Sequence, residues 1–158
     1  MTPDAANSDL GVTANVMRVV EVTNSFFPDP TSRDKLRPAP KAFELTSEDK
    51  RQTKPSLTVW DKSKTSIEEV KSIRGIDAQT RCAELTLAVG KILEIAAKYI
   101  KERHVRVAYE PLSDPEALKS GANGHAGIFG IDRRSGEDGT TYKQFRVALA
   151  DACSAICK

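Results

Sequence analysis

The 158-residue sequence lacks the features that mark several specialised classes of protein. No stretch reaches the roughly 18 apolar residues of a membrane-spanning helix, so we expect no membrane association. The 24 basic and 22 acidic residues leave a formal net charge of +2, which provides no global field to attract nucleic acid. A hydrophobic content of 39% with 29% charged residues is ordinary for a soluble globular protein. We therefore expect a domain that binds neither a membrane nor nucleic acid.

Cysteine is also scarce, and its spacing excludes further classes. Cys82, Cys153 and Cys157 are odd in number and form no C-x-x-C pair, which disfavours a disulfide framework or a structural zinc site. The first residues lack the positive start and apolar stretch of a signal peptide. Reduced thiols in a cytoplasmic setting fit these observations, and no sequence motif implies a cofactor.

The chain divides into a lead-in and one domain. Residues 1–15 are small, polar and aperiodic, which predicts a flexible segment, and residues 16–158 read as a single domain. Pro28 to Pro40 holds four of the eight prolines, with basic residues between them, and predicts an extended surface loop. Those basic residues could touch an acidic partner, although a solvated linker is the simpler interpretation.

Alternating apolar residues or β-branched enrichment predict strands at six places. These are Val16–Phe27, Ala42–Leu45, Ser56–Trp60, Glu84–Ala88, Val105–Tyr109 and His125–Ile131. Thr65 and Glu68 have the spacing of a capping box, so a short helix should follow Thr65 and end at Gly75.

Two longer segments carry an apolar stripe at offsets 0, 3, 4, 7, 8 and 11, which is typical of an amphipathic helix. One covers residues 89–100 and the other residues 142–157. The strands and helices are interspersed irregularly, which favours an α+β fold with a mixed or antiparallel sheet covered by these two helices. Cys153 and Cys157 would share a face of the second helix, where packing is a simpler role than metal binding.

The densest local pattern places four of the nine glycines around His125, at positions 121, 124, 127 and 130. Glycine allows close approach of a ligand, and histidine titrates near neutral pH, so His125 is the candidate catalytic residue. The candidate ligand-binding residues around it are Asn123, Gly124, Gly127, Arg133 and Arg134. The alternative is a structural histidine that bonds a backbone carbonyl. The glycine spacing fits neither the G-x-G-x-x-G dinucleotide motif nor the helical context of an RNA-clamping G-x-x-G loop.

Several short motifs also follow one another in a familiar order. They are Ala42–Leu45, Leu57–Trp60, Thr65–Val70, Leu85–Gly90, Val107–Asp114 and Asn123–Ile128. This order resembles a family of short uncharacterised bacterial proteins with an Asn-x-x-His-Ala segment near the C-terminus. Here His125 lies one residue closer to Asn123, and the loop at 132–140 is extra. The resemblance implies a bacterial protein in which Asn123 and His125 matter, and it implies no activity.

Two functions remain open from the sequence. The first is a small accessory module that binds a protein partner, such as a larger effector, because the chain shows no complete catalytic set. The second is a small enzyme or nucleotide-binding domain, with Asn123 orienting a ligand at His125 and Arg133 or Arg134 neutralising it.

Overall fold

The computed structural model describes residues 8–23, 26–27, 37–52, 54–133 and 136–157. These residues form the expected α+β fold, with a sheet and three helices. The strands are β1 (Asn15–Glu21), β2 (Ser56–Asp61), β3 (Cys82–Ala88), β4 (Arg106–Tyr109), β5 (His125–Phe129) and β6 (Ser154–Cys157). The helices are α1 (Ile67–Ile73), α2 (Val89–Tyr99) and α3 (Gly139–Ala152). Ser47–Lys50 forms one helical turn, and 3-10 turns occupy Pro40–Phe43, Glu116–Leu118 and Ala122–Gly124.

All of these strands lie in one antiparallel sheet, in the order β4-β5-β2-β1-β3-β6. Because side chains alternate along a strand, the sheet has two distinct faces. One face, here called the helix face, packs its apolar side chains against α2, α3 and the Pro40–Phe43 turn. The opposite face, here called the α1 face, packs Met17, Val19 and Trp60 against α1 and Ala122. Apolar packing on both faces fixes the register of the central strands.

The direct passage from strand to helix at Ala88 and Val89 is confirmed. β3 ends at Ala88, and α2 begins at the next residue and buries Val89, Ile92, Ile95 and Ala96. The end of α1 is also as predicted, since Gly75 follows the helix with a φ of +69°. Glycine accepts this left-handed conformation without a steric penalty.

The predicted C-terminal helix over 142–157 is wrong at its end. α3 stops at Ala152, and Ser154–Cys157 forms β6, which pairs with β3 from Ala83 to Thr86. The helical stripe that extends to Ile156 is overridden because this pairing satisfies the backbone groups along the edge of β3, which no local pattern encodes. Cys153 and Cys157 therefore do not share a helix.

Two other local predictions are wrong. Ala42–Leu45 is not a strand, because the 3-10 turn that begins at Pro40 carries Ala42 and Phe43 into the core of the helix face. The cap of α1 is Ser66 rather than Thr65. Its Oγ accepts from the amide of Glu69 at 3.2 Å and donates to the Glu69 carboxylate at 3.1 Å, one residue further along than the predicted box.

Part of the predicted lead-in, residues 8–10, contacts the edge of the sheet. Leu10 is buried, and its amide donates to the carbonyl of Val107 at 2.9 Å. The amide of Tyr109 in turn donates to the carbonyl oxygen of Ser8 at 3.0 Å. Residues 8–10 therefore cover the outer edge of β4. Most of the predicted proline-rich loop over 28–40 lies outside the described residues.

The sheet is split between β1 and β2, and an arginine occupies the split. β1 pairs with β3 along its whole length, but among the described residues it pairs with β2 only at Val16 and Met17. Beyond Met17, Nη1 of Arg18 donates to the carbonyl oxygen of Thr58 on β2 at 2.9 Å, and its Nε donates to the carbonyl oxygen of Ala42. The guanidinium thus supplies donors where the amides of a regular ladder would have supplied them.

A second arginine, Arg74, binds a backbone carbonyl of β1 at the split from the α1 face. Nη1 of Arg74, the residue that follows α1, donates to the carbonyl of Val19 at 3.2 Å. Burial lowers the pKa of Arg18 to about 10, the charge of Asp49 works to raise it, and the charge of Arg74 lowers it further. Arg18 is nevertheless charged at neutral pH, so Asp49 offsets part of the repulsion between the two guanidinium groups.

We predict that Arg18→Met destabilises the fold strongly. The substitution keeps an unbranched apolar stem but leaves the carbonyls of Ala42 and Thr58 without donors, which should lower the free energy of unfolding by roughly 2–4 kcal/mol. Arg106→Met is the matched control. It removes an exposed ion pair with Asp9, which is worth less than about 1 kcal/mol. Urea unfolding of the three proteins measures both effects, and equal losses in the two variants would contradict the assignment.

Candidate functional site

The glycines before His125 make close contacts with the protein itself. Gly121 has a φ of +84° and opens the 3-10 turn Ala122–Gly124. A Cβ at Gly121 would collide with the side chains of Thr65 and Glu69, and one at Gly124 would crowd Thr65 at 3.1 Å. These glycines therefore let the segment pack against the start of α1, rather than leaving room for a ligand at those two positions.

His125 is the first residue of β5, and its side chain lies on the α1 face. Its ring meets that of Trp60 edge to face, with the centroids 4.8 Å apart. Nδ1 lies 2.5 Å from the carbonyl oxygen of Glu110. Since a carbonyl oxygen can only accept, Nδ1 carries the hydrogen, and Nε2 of the neutral ring is the acceptor. His125 is partly exposed, so this acceptor is the group it can offer to a ligand.

Ser56 and Glu110 lie on the same face and were not found by sequence reasoning. Oγ of Ser56 on β2 donates to Oε2 of Glu110 at 2.8 Å, although β5 lies between β2 and the end of β4. Gly127 on β5 makes this possible, because a Cβ there would lie 2.7 Å from Ser56 and 2.8 Å from the Glu110 carboxylate. The Ser56 hydroxyl is directed at the carboxylate and not at His125. The arrangement therefore holds a histidine and a carboxylate in place and forms no serine–histidine nucleophile.

The structure places the remaining predicted residues on both sides of β5 along the chain. Asn123 is exposed on the 3-10 turn. Arg133 follows the far end of β5, a strand whose four residue steps span about 13 Å. Its Nε donates to the carbonyl of Glu137 at 3.1 Å. Arg134 lies outside the described residues. Of the six predicted site residues, the structure thus brings His125 and Gly127 to one patch and places Arg133 elsewhere.

The loop that carries Arg133 is fixed by Arg103. Nη1 of Arg103 donates to the carbonyl of Asp132 at 2.5 Å, to Glu137 at 3.1 Å and to the hydroxyl of Tyr142 at 2.7 Å. Tyr142 donates in turn to Glu137 at 2.7 Å. Burial, and then the hydrogen bond to Glu137, raise the pKa of Tyr142. This network joins the end of α2 to the start of α3 and accounts for the charge density of the loop.

A second polar cluster lies on the helix face of the sheet, so it is on the opposite face from His125. The hydroxyl of Tyr109 donates to Oδ2 of Asp61 at 2.5 Å, and Ser63 donates to Oδ1 through its amide and its hydroxyl. Nζ of Lys64 lies 4.1 Å from the centroid of the Tyr109 ring. Alternation along β4 predicts the face of Tyr109, but the approach of Asp61 depends on the pairing of β2, β5 and β4 and has no local signal.

The ionisation of this cluster is asymmetric. Burial works to raise the pKa of Asp61, but the hydrogen bonds from Tyr109 and Ser63 outweigh it, so the pKa lies below its ordinary value of 3.8. Burial and the bond to Asp61 raise the pKa of Tyr109. At neutral pH the pair is therefore a charged carboxylate and a neutral phenol, which binds β2 to β4 and supplies no general base with a pKa near 7.

A groove of about 670 Å³ lies between α2 and α3. Its lining residues recur every three or four positions on each helix, so one stripe of each helix faces the groove. They are Lys91, Glu94, Ile95, Lys98 and Tyr99 on α2, and Thr140, Lys143, Gln144, Val147, Ala148, Asp151 and Ala152 on α3. None of the residues predicted from the glycine segment lines it. This groove was not foreseen, because the sequence patterns show which stripes face the core and not how two helices meet.

The structure describes the side chains of two cysteines, Cys82 and Cys153, as free thiols. Burial raises the pKa of Cys153 to about 11, so its thiol is protonated at neutral pH. Cys82 is fully buried on the α1 face. Within the part of the chain that the structure describes, no group of three or more His, Cys, Asp or Glu side chains is suited to hold a metal ion.

Comparison of the chain with protein-family models, with curated proteins and with solved structures gives no match in any of the three. The described helices are also too short or too polar to cross a membrane.

We predict that Tyr109→Phe shifts the acid unfolding of the protein. Asp61 has a lowered pKa in the folded state, so its contribution to stability is complete above its unfolded pKa and is lost as the pH falls through the folded pKa. Removing the Tyr109 hydroxyl raises that folded pKa, so acid unfolding begins at higher pH. At pH 7 the substitution should also cost about 1–2 kcal/mol.

The measurement is the melting temperature from pH 2 to pH 7, in steps of about half a unit, for the unmodified chain and the variant. The difference in melting temperature between the two proteins should narrow as the pH falls. Tyr99→Phe is the control, because the Tyr99 hydroxyl meets no carboxylate among the described residues. A constant difference across the whole range would contradict the role of Asp61.

Proposed function

We propose that this chain is a protein-binding module and that the groove between α2 and α3 receives a helix of its partner. The observation that carries the proposal is the groove itself, which two regular helical stripes line and which is open at the surface. Recognition of an amphipathic helix in a groove relies on this kind of surface. Val147 supports the proposal, because it is an apolar residue of the groove with 37% of its surface exposed.

The dimensions of the groove fit a short helix. Thr140 and Ala152 mark the ends of the α3 stripe, and twelve residue steps along a helix span about 18 Å. An occupant of three to four turns would match this length. Its apolar stripe would meet Ile95, Tyr99 and Val147, while α2 and α3 would flank it on both sides.

The charges along the groove suggest the polar flanks of the occupant. Three lysines line the groove, against the two acidic residues Glu94 and Asp151. Nζ of Lys91 lies 3.6 Å from Glu94, so this pair is locally neutral. Lys98 and Lys143 then outnumber Asp151. Complementarity favours a partner helix with Asp or Glu beside its apolar stripe, and such charges also accelerate association.

A ligand site at His125 is the weaker alternative. Its support is the partly exposed imidazole, whose Nδ1 is fixed by the carbonyl of Glu110 and whose Nε2 makes no hydrogen bond that the structure records. The arginine that would neutralise an anionic ligand there, Arg133, lies beyond the far end of β5. We accordingly favour protein binding. We further propose that the setting is the bacterial cytoplasm and that the partner is a larger effector protein, an expectation that rests on the sequence.

The proposal is tested with a photo-crosslinking amino acid at Gln144, which is exposed and lines the groove. We expect irradiation in lysate of the natural host to give a defined adduct, whose linked segment is a helix with an acidic-flanked apolar stripe. The same label at Leu118, which is 80% exposed outside the groove, is the control. Val147→Asp should reduce the Gln144 adduct about tenfold, as expected for the loss of one buried valine side chain.

The linked segment is then synthesised as a peptide and titrated against the unmodified chain and the Val147→Asp variant. Equal labelling from Gln144 and Leu118 would overturn the proposal. So would an adduct with a segment that has no apolar stripe, or peptide affinity that is insensitive to Val147→Asp.

A further inference from the structure

The two edge strands of the sheet, β4 and β6, differ in whether other residues of the chain bond to their outer edges. At the β4 edge, residues 8–10 bond to Val107 and Tyr109, and Asp9 is bridged to Ala108. At the other edge, β6 pairs with β3 on one side, and no described residue pairs with it on the other. An uncovered edge strand is a template for pairing with another chain.

The outward-facing groups of β6 can be identified from the ladder. The amide of Val22 donates to the carbonyl of Arg81, and backbone groups of an antiparallel strand alternate in direction. Odd-numbered residues of β3 therefore bond to β1, and even-numbered ones bond to β6. Applied to β6, the same alternation directs Ser154 and Ile156 towards β3 and directs the amides and carbonyls of Ala155 and Cys157 outwards.

The usual protections of an edge strand are missing from β6. Its sequence, Ser-Ala-Ile-Cys, contains no charged residue and no proline. At its centre, Ile156 has 46% of its surface exposed on the α1 face. Lysine, proline or a bulge on an edge strand normally prevents edge-to-edge association. Here the shortness of the strand is its remaining protection.

We propose that β6 is a self-association surface, on which a second copy of this chain pairs its own β6 antiparallel. A two-fold axis through Ile156 sets Ala155 opposite Cys157 of the second copy. Both residues face outwards, so the two symmetric pairs form four main-chain hydrogen bonds. Ile156 then opposes Ile156 of the second copy at the closer, non-hydrogen-bonded spacing and loses its exposure to water. No charged side chain of the strand meets its own copy, which favours a second copy over a charged peptide.

This pairing has a geometric consequence for the rest of the molecule. The two-fold axis of an antiparallel pair is perpendicular to the sheet, so the helix faces of both copies lie on the same side. The two sheets become one continuous sheet, and both α2–α3 grooves face the same way. The pairing does not depend on what the grooves bind.

Disulfide trapping tests the register. In a chain carrying Cys153→Ser and Cys157→Ser, with the buried Cys82 retained, Ile156→Cys should form a disulfide-linked dimer under mild oxidation. The Cα atoms of such a directly opposed, non-hydrogen-bonded pair lie about 4.5 Å apart, within the range that a disulfide bridges. Ser154→Cys is the matched control on the same face. Its two copies would be four residue steps apart, about 13 Å, and should not cross-link.

Sedimentation equilibrium tests the association without added thiols. The unmodified chain should approach the mass of a dimer as its concentration rises, and Ala155→Pro should weaken association about tenfold, since it removes an outward amide and no bond to β3. Thermal unfolding checks that this variant remains folded. A chain that stays monomeric up to about 1 mM would overturn the proposal. Equal cross-linking of the Ile156→Cys and Ser154→Cys variants would overturn it as well.

Discussion

The guanidinium of Arg18 is the interaction on which the rest of this structure depends. It binds the carbonyl of Thr58 across the split in the sheet and the carbonyl of Ala42 in the layer above. The first bond joins the two halves of the sheet, β4-β5-β2 and β1-β3-β6, where the regular ladder is absent. The second fixes the Pro40–Phe43 turn, which packs beside α3. The position of α3 then determines the shape of the groove. It also determines where β6 begins, because β6 follows α3 almost directly in the chain.

Much of the fold could be predicted because it is encoded locally. Alternation marks β2 and β3, the apolar stripe marks α2, and Gly75 marks the end of α1. What could not be predicted depends on contacts between distant residues. Ser154–Cys157 continues a helical pattern, yet it is a strand because β3 offers it an edge. Ala42 and Phe43 alternate like a strand, but a buried 3-10 turn places both in the core.

The candidate site shows the same division. The glycine pattern drew attention to His125 and Gly127, and the structure explains Gly127 as the position where the absence of a side chain lets Glu110 reach Ser56. Neither Ser56 nor Glu110 carries a sequence signal, because their contact spans three strands. The pattern also grouped Arg133 with His125 because the two are close in sequence. The extended strand β5 separates the two positions in space, so closeness along the chain does not bring them together.

A charged, partly buried guanidinium joins the two halves of the sheet, and the side-chain resonances of Arg18 report on it directly. Hydrogen exchange of the arginine Nε–H groups, followed by nuclear magnetic resonance, distinguishes a guanidinium shielded from water from one at the exposed surface. The account predicts that the Arg18 Nε–H, which donates to Ala42, exchanges much more slowly than that of the exposed Arg133. Equal exchange at the two arginines would show that Arg18 is open to water and would contradict the account.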